Sequence, residues 1–313
     1  MSGVAAGNQQ PGGVAALGNF DGVHAGHRAV LDQTRLLAQS VGAEPVAAVF
    51  SPHPRRLFRA DEPPFRLMND AQRERALLAA GAVRVHTIRF DAALAAMTPE
   101  AFVRDILVGE LALQGVVTGA DFCFGKGRAG NAATLRELGG KYGLAVGIAA
   151  TLVSDRLSDR AKFSSSAVRH ALREGDVETA AGLLGRPWAI EGEVAHGDKR
   201  GRTIGFPTAN IALGEYLRPK AGVYAVRARL PGQDKAVGGV ANIGTRPTVD
   251  GTEERLEVFF FDFSGDLYGQ TIEVELIGFI REERRFDGLD ALKAQIALDS
   301  EKARALLDRR GGA

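Results

Sequence analysis

Two histidines, His24 and His27, fall one helical turn apart in "LGNFDGVHAGHRAVLD" at 17–32, between an apolar run ending at Leu17 and a helical pattern. Gly18 and Gly22 permit a tight loop there, and the helix is expected to begin at Ala25 or Gly26. Backbone N–H groups at a helix start attract anions, phosphate above all. The two imidazoles would reach such an anion from one side, and Gly26 would let the backbone approach it. A single histidine here reads more plainly as a helix cap beside an incidental neighbour. The pair at a strand-to-helix junction points instead to attack on the α-phosphate of a nucleoside triphosphate with loss of pyrophosphate. That reaction needs positioning and donors aimed at developing charge, not a covalent nucleophile. "KFSSSAVR" at 162–169 adds the hydroxyls of Ser164, Ser165 and Ser166 at a second helix start, with Lys162 and Arg169 as cations for the leaving group.

A second set lies far along the chain, in "HGDKRGRTIGFPTANIAL" at 196–213. Gly197, Lys199, Gly201 and Arg202 form a glycine and cation run suited to a triphosphate, though such runs are often only solvated turns. Residues two apart on an extended chain face the same way, so Thr208 Oγ1 and the Asn210 amide oxygen could share a magnesium ion. If a hydroxyl is to attack the γ-phosphate, Glu257 can serve as base. By alternation it shares a strand face with Phe259 and Phe261, where partial desolvation would strengthen it; a glutamate on an open sheet edge is the competing reading.

The elements that must hold these residues follow from periodicity. Apolar runs at 14–17, 45–50, 83–90, 115–122 and 144–153 read as buried strands, separated by helical patterns at 26–39 and 99–113. Such alternation argues for an α/β parallel sheet, whose ligands sit beyond the strand C-termini, where 17–32, Asp121 and the loop after Val153 all fall. Two short helices end at Gly185 with Pro187 behind it, a stop signal that puts a domain boundary near 185. Runs at 189–195, 222–230, 235–243, 255–263 and 271–280 then read as antiparallel strands of a small barrel. A closing helix carries Leu289, Leu292, Ile296, Ala303 and Leu306 on one face. The expected organisation is a loose tail at 1–13, a first domain at 14–185 and a second at 186–313.

Composition narrows the partners. The 313 residues include 39 basic and 38 acidic, a net charge of +1, which disfavours nucleic acid as a main partner. One cysteine, Cys123, excludes an internal disulfide and a thiolate-rich zinc site. No apolar run approaches the roughly 20 residues that span a bilayer. The N-terminus lacks the pattern of a signal peptide or presequence, so a cytoplasmic protein handling small molecules, without an obligatory protein partner, is expected.

Taken together, "GNFDGVHAGH", "FSPHP", "GADFCFG" and "FSSSAVR" resemble the adenylyltransferase half of bacterial bifunctional riboflavin kinase/FAD synthetases. "HGDKRGRTIGFPTAN", "ANIGTRPT" and "EVFFFDFSGDLYG" resemble the riboflavin kinase module of the same family. The resemblance implies a Rossmann-like nucleotidyltransferase domain and a six-stranded β-barrel, phosphorylation of riboflavin to FMN, and adenylylation of FMN to FAD, each with ATP and Mg2+. It implies that His24 and His27 contact ATP phosphates, with Gly18, Asn19, Phe20, Gly26 and Asp121 around the nucleotide. Ser164, Ser165, Ser166 and Arg169 would form the pyrophosphate loop, and His53 and Pro54 would lie along FMN. In the barrel, Glu257 becomes the base, Thr208 and Asn210 the metal ligands, and the last helix part of the flavin site. Departures from the family pattern are Cys123, Ser166, Asp121 and Phe259, where relatives often carry a basic residue, threonine, asparagine and histidine. The alternative is a nucleotidyltransferase for another phosphorylated acceptor with a non-catalytic, flavin-binding barrel.

Overall fold

The computed structural model describes residues 12–152, 162–195, 208–233, 235–248 and 251–311. They group into two compact units, 1–63 with 70–164, and 64–69 with 165–313.

In the first unit, strands β1 (Val14–Leu17), β2 (Pro45–Ser51), β3 (Val85–Arg89), β4 (Gly115–Gly119) and β5 (Ala145–Ala149) make an all-parallel sheet of order β3-β2-β1-β4-β5. The order reverses between β1 and β4, so the crevice that a parallel sheet offers to ligands opens there. Helix α1 (Ala25–Val41) packs over β1, β2, β4 and β5, burying Val30, Leu31, Thr34 and Ala38, and ends on Gly42 in the left-handed region. Short helices α2 (Pro54–Phe58), α3 (Asp70–Ala79) and α4 (Ala92–Ala96) follow. The opposite face is a core of Ala15, Leu17, Val46, Ala48, Phe50 and Val116 against Phe102, Val103, Ile106, Leu107, Leu135 and Leu138.

The helix expected over 99–113 is α5 (Pro99–Ala101) running into a π-wound stretch, Phe102–Glu110. Helix α6 (Ala132–Tyr142) completes the layer, capped by Asn131 Oδ1. Two strands stop three or more residues short of expectation, β4 at Gly119 and β5 at Ala149. At Gly119 the chain turns, Phe122 N–H bonding back to the Gly119 carbonyl, and the ladder of β5 stops at Ala149.

In the second unit, helices α7 (Ser165–Arg173) and α8 (Val177–Leu184) precede six antiparallel strands, β6 (Trp188–Ala195), β7 (Ala209–Ala212), β8 (Gly222–Ala228), β9 (Val237–Thr248), β10 (Gly251–Phe260) and β11 (Thr271–Arg281). They close into a barrel of order β10-β7-β6-β11-β8-β9. The stop at Gly185 ends α8, but α8 packs on β6 and β11, so residues 165–185, assigned by sequence to the first domain, group with the barrel.

Helix α9 (Leu289–Gly311) lies on the barrel's outer face, where Ala303 joins Val223, Ala225, Val240 and Phe261, flanked by Phe259, Leu306 and Leu307. Gly238 makes this approach possible, since a Cβ there would sit 2.7 Å from Leu307 Cδ1. Leu289, expected on the apolar face, is 62% exposed: the helix meets the apolar cluster through its second half.

Candidate active sites

The loop between β1 and α1 is held in a costly conformation. Phe20 and Val23 have φ of 50° and 42°, in the left-handed region, which a β-branched valine adopts only under constraint. Burial supplies the constraint: Phe20 and Val23 are each 1% exposed. His24 is the N-cap of α1 and Nδ1 accepts the His27 N–H at 3.4 Å. The two imidazoles stack with centroids 3.7 Å apart, and Phe20 meets the His27 ring edge-on at 5.1 Å. His24 is thus a helix cap, and its neighbour is not incidental, since the two rings form one stacked unit. A Cβ on Gly26 would lie 3.1 Å from both His24 Cε1 and the Phe163 carbonyl oxygen, leaving the backbone bare beside the rings.

Asp121 follows β4, the strand beside β1 across the switch point. Its carboxylate accepts from Lys162 Nζ at 2.6 Å, and that bond holds it below the usual carboxylate range. Lys162, expected to face pyrophosphate, is thus engaged with Asp121. Gly18 is half-buried, and Asn19 exposed.

At the end of β2, His53 caps α2 by accepting the Arg55 N–H at 3.1 Å, and Pro54 is the first helical residue. Phe58 of α2, 66% exposed, meets Phe90 edge-on at 5.9 Å, and Phe90 meets Phe50 at 5.7 Å. This aromatic surface beyond β2 and β3 suits a planar apolar ring; Phe90 was not among the expected site residues.

Arg73, on α3, was also missed. It is 3% exposed, and Nη1 donates to the carbonyls of Asn19 at 3.2 Å and Phe50 at 3.1 Å.

Ser164 closes the first unit, while Ser165, Ser166 and Arg169 lie on α7 in the second. There Arg169 Nε donates to the Phe65 carbonyl at 2.8 Å with its guanidinium 5.6 Å over the Phe65 ring.

On the barrel, three polar residues occupy one cross-strand row: Asn210 of β7 is opposite Glu257 of β10, itself opposite Asn242 of β9. Leu256, Val258 and Phe260 are buried, while Glu257 and Phe259 on the other face are half-buried, as alternation predicts. Asn210 is 5% exposed, and Nδ2 donates to Thr208 O at 3.3 Å and Thr208 Oγ1 at 3.5 Å. Its Oδ1 is buried and accepts no hydrogen bond from the described residues, an oxygen of the kind a hard cation takes. Asn242, also missed by sequence, donates through Nδ2 to Glu283 Oε1 at 2.9 Å. Gly197, Lys199, Gly201 and Arg202 lie outside the described residues.

Comparison with known proteins matches both halves. A family model for FAD synthetase matches residues 7–167, and one for riboflavin kinase matches 184–307. The chain is 44% identical over 295 residues to the bifunctional riboflavin kinase/FMN adenylyltransferase of Escherichia coli (strain K12), covering 94% of this chain and 93% of that one. It is 39% identical over 303 residues to the Bacillus subtilis (strain 168) protein of the same name, covering 94% and 92%. A solved Streptococcus pneumoniae structure described as a macrolide-efflux protein has a TM-score of 0.82 at 31% identity over 95% of each chain. Among the described residues, no helix is long and apolar enough to cross a membrane. With both family models met in order and such identity over nearly its whole length, the chain belongs to the bifunctional riboflavin kinase/FMN adenylyltransferase family.

Proposed function

We propose that the family's two activities, riboflavin kinase and FMN adenylyltransferase, are carried in this chain by separate sites: the Thr208, Asn210 and Glu257 row makes FMN, and the His24 and His27 loop makes FAD. The division proposed is 14–185 for adenylyl transfer and 186–313 for the kinase, supported by the family matches at 7–167 and 184–307, although α7 and α8 group with the barrel.

In the kinase reaction, Glu257 takes the proton of the riboflavin hydroxyl as its oxygen bonds to the γ-phosphorus, and the bond to the bridging oxygen breaks to leave ADP. Thr208 Oγ1 and Asn210 Oδ1 would hold magnesium, which neutralises phosphate charge when bound. The observation that carries this reading is the buried Asn210 oxygen, which has no hydrogen-bond partner among the described residues, beside a hydroxyl and in register with the glutamate. Lys199, Arg202 and the glycines beside them would face the triphosphate.

In the adenylyl reaction, an FMN phosphate oxygen attacks the α-phosphorus of ATP and pyrophosphate leaves. The stacked imidazoles and the bare backbone at Gly26 present donors to the phosphoryl oxygens, where charge builds. Asp121 would help to hold nucleotide and metal, Ser164, Ser165, Ser166 and Arg169 would bind the leaving group, and His53 and Pro54 would lie against FMN. The partners are these small molecules, in the cytoplasm.

Incubation with riboflavin, ATP and Mg2+, followed by chromatography, tests the assignment. Glu257→Ala should stop FMN formation while supplied FMN still becomes FAD, and His27→Ala should do the reverse. A folded variant that loses both activities refutes separate sites. Absence of any FMN from the native protein would favour a different acceptor with a non-catalytic barrel.

A further inference from the structure

We infer that Arg73 is a positioning residue for adenylyl transfer, a buried clamp that sets the spacing between the loop carrying the histidine pair and the loop carrying the flavin side of the site. This rests on the assignment of adenylyl transfer to that loop. A guanidinium 3% exposed is costly in a protein interior unless its donors are met, so the groups that meet them show what it is for. Nη1 donates at 3.2 Å to the Asn19 carbonyl and at 3.1 Å to the Phe50 carbonyl, and Nη2 pairs with Asp70 Oδ1 at 3.1 Å.

The Phe50 carbonyl lies near the end of β2, and the Asn19 carbonyl two residues past the end of β1, its parallel neighbour. Gly18 N–H still bonds to the Ala48 carbonyl at 3.2 Å; beyond it one chain enters the 18–24 loop, while the other runs on to Ser51 and then turns through Pro52 to His53. One nitrogen bonded to both carbonyls therefore fixes how far apart the two loops start. Asp70 extends the clamp, since its Oδ2 accepts from Ser51 Oγ at 2.8 Å. Arg73 touches neither reactant in this arrangement. It acts through the backbone on the distance between the α-phosphorus and the attacking phosphate oxygen, to which a bimolecular step in a preformed site is steeply sensitive.

The test measures both activities of the full-length protein. Arg73→Met should lower kcat of adenylyl transfer by about 100-fold, with KM for ATP and FMN changed less than about threefold and riboflavin kinase activity unchanged. Arg73→Lys, which keeps a cation able to donate to both carbonyls, should recover most of kcat. Leu107→Ala, fully buried in the same unit and in none of these contacts, supplies a variant destabilised without loss of the clamp, and should keep its kcat below its melting temperature.

An unchanged adenylyl kcat in Arg73→Met, an equal loss in Leu107→Ala, or a parallel loss of kinase activity would overturn the proposal. Should Arg73→Met not fold, Asp70→Asn decides. It removes the charge that pairs with Arg73 Nη2 and weakens the acceptor that holds Ser51 Oγ, and should lower adenylyl kcat by about tenfold; an unchanged kcat overturns the proposal. His27→Ala run alongside separates the two levels. If it leaves adenylyl transfer intact, the site assignment and the clamp fall together, whereas if it abolishes transfer and Arg73→Met does not, the clamp alone falls.

Discussion

At the scale of single residues, what sequence reveals is chemistry concentrated in short spacing, and what it hides is burial. The three-residue step from His24 to His27 and the two-residue step from Thr208 to Asn210 each fix a shared direction, and the structure stacks the first pair and joins the second through Asn210 Nδ2. Arg73 could not be read this way. In "MNDAQRERALL" it looks like one of two solvated arginines on a charged helix, and only the end of β2 beneath it makes it a buried one. His86 is similar: it sits on β3 in register with Ala48, 2% exposed, and burial, then the charge of Arg84, hold its pKa below the ordinary value. The imidazolium is thus disfavoured in the folded state, while the unfolded chain takes up a proton near about 6.5. The stability tied to the neutral ring is present above that pH and is lost as pH falls through it. Thermal unfolding should therefore show a transition that drops between pH 7.5 and 5.5, and His86→Gln should flatten that dependence even if it lowers stability at neutral pH. Equal slopes for the two proteins would contradict the assignment.

For whole elements, the two periods carried most of the information. Strand alternation on β10 appears as expected, and so does the second half of the helical stripe on α9, because each face is decided by local spacing before any partner is chosen. The π-wound turn at Phe102–Glu110 escaped, since Phe102, Val103, Ile106 and Leu107 make an apolar stripe compatible with ordinary helix. On α9, positions 292, 296, 299, 303 and 306 step along one face, and the polar member, Asp299, was passed over. It is 2% exposed and accepts from Arg281 of β11, Nη2 at 2.7 Å and Nε at 3.0 Å, with Gln295 Nε2 at 2.8 Å. A carboxylate on an otherwise apolar stripe was the available signal. Because Arg281 is itself mostly covered, Asp299→Ala would leave a buried cation unpaired, at a cost of about 3–5 kcal/mol. Urea unfolding measures it. A loss under about 1 kcal/mol is what a solvent-screened surface pair would give, and would mean that α9 is held by its apolar half alone.

In the molecule as a whole, motifs reveal two family blocks in order along the chain but not which residues group together in space. The six residues Pro64–Asn69, between α2 and α3 of the first unit, belong to the second. Nothing in "PFRLMN" announces this, because three of the bonds that recruit it use backbone groups with no sequence signature, and the side-chain bond from Asn69 Nδ2 to Glu191 Oε1, at 2.9 Å, joins residues far apart in the chain. Arg66 N–H bonds to the Glu215 carbonyl at 3.0 Å, Leu217 N–H to the Arg66 carbonyl at 2.8 Å, and the indole N–H of Trp188 to the Leu67 carbonyl at 2.6 Å. Phe65 and Leu67 are each 1% exposed, so the segment also closes apolar surface. Trp188 is the chain's one tryptophan, so its fluorescence reports on this segment without labelling. Phe65→Ala should destabilise the second unit by about 3–5 kcal/mol and shift tryptophan emission to longer wavelength. A fragment of residues 186–313 lacks the segment entirely, and a buried indole N–H deprived of its acceptor costs about 1–3 kcal/mol. Its fluorescence-detected unfolding midpoint should fall below that of the full chain, with emission already red-shifted before unfolding begins. If fragment and full chain unfold at one midpoint with one emission maximum, the segment is dispensable to the barrel, and the boundary that the motifs suggest near 185 is also the boundary of stability.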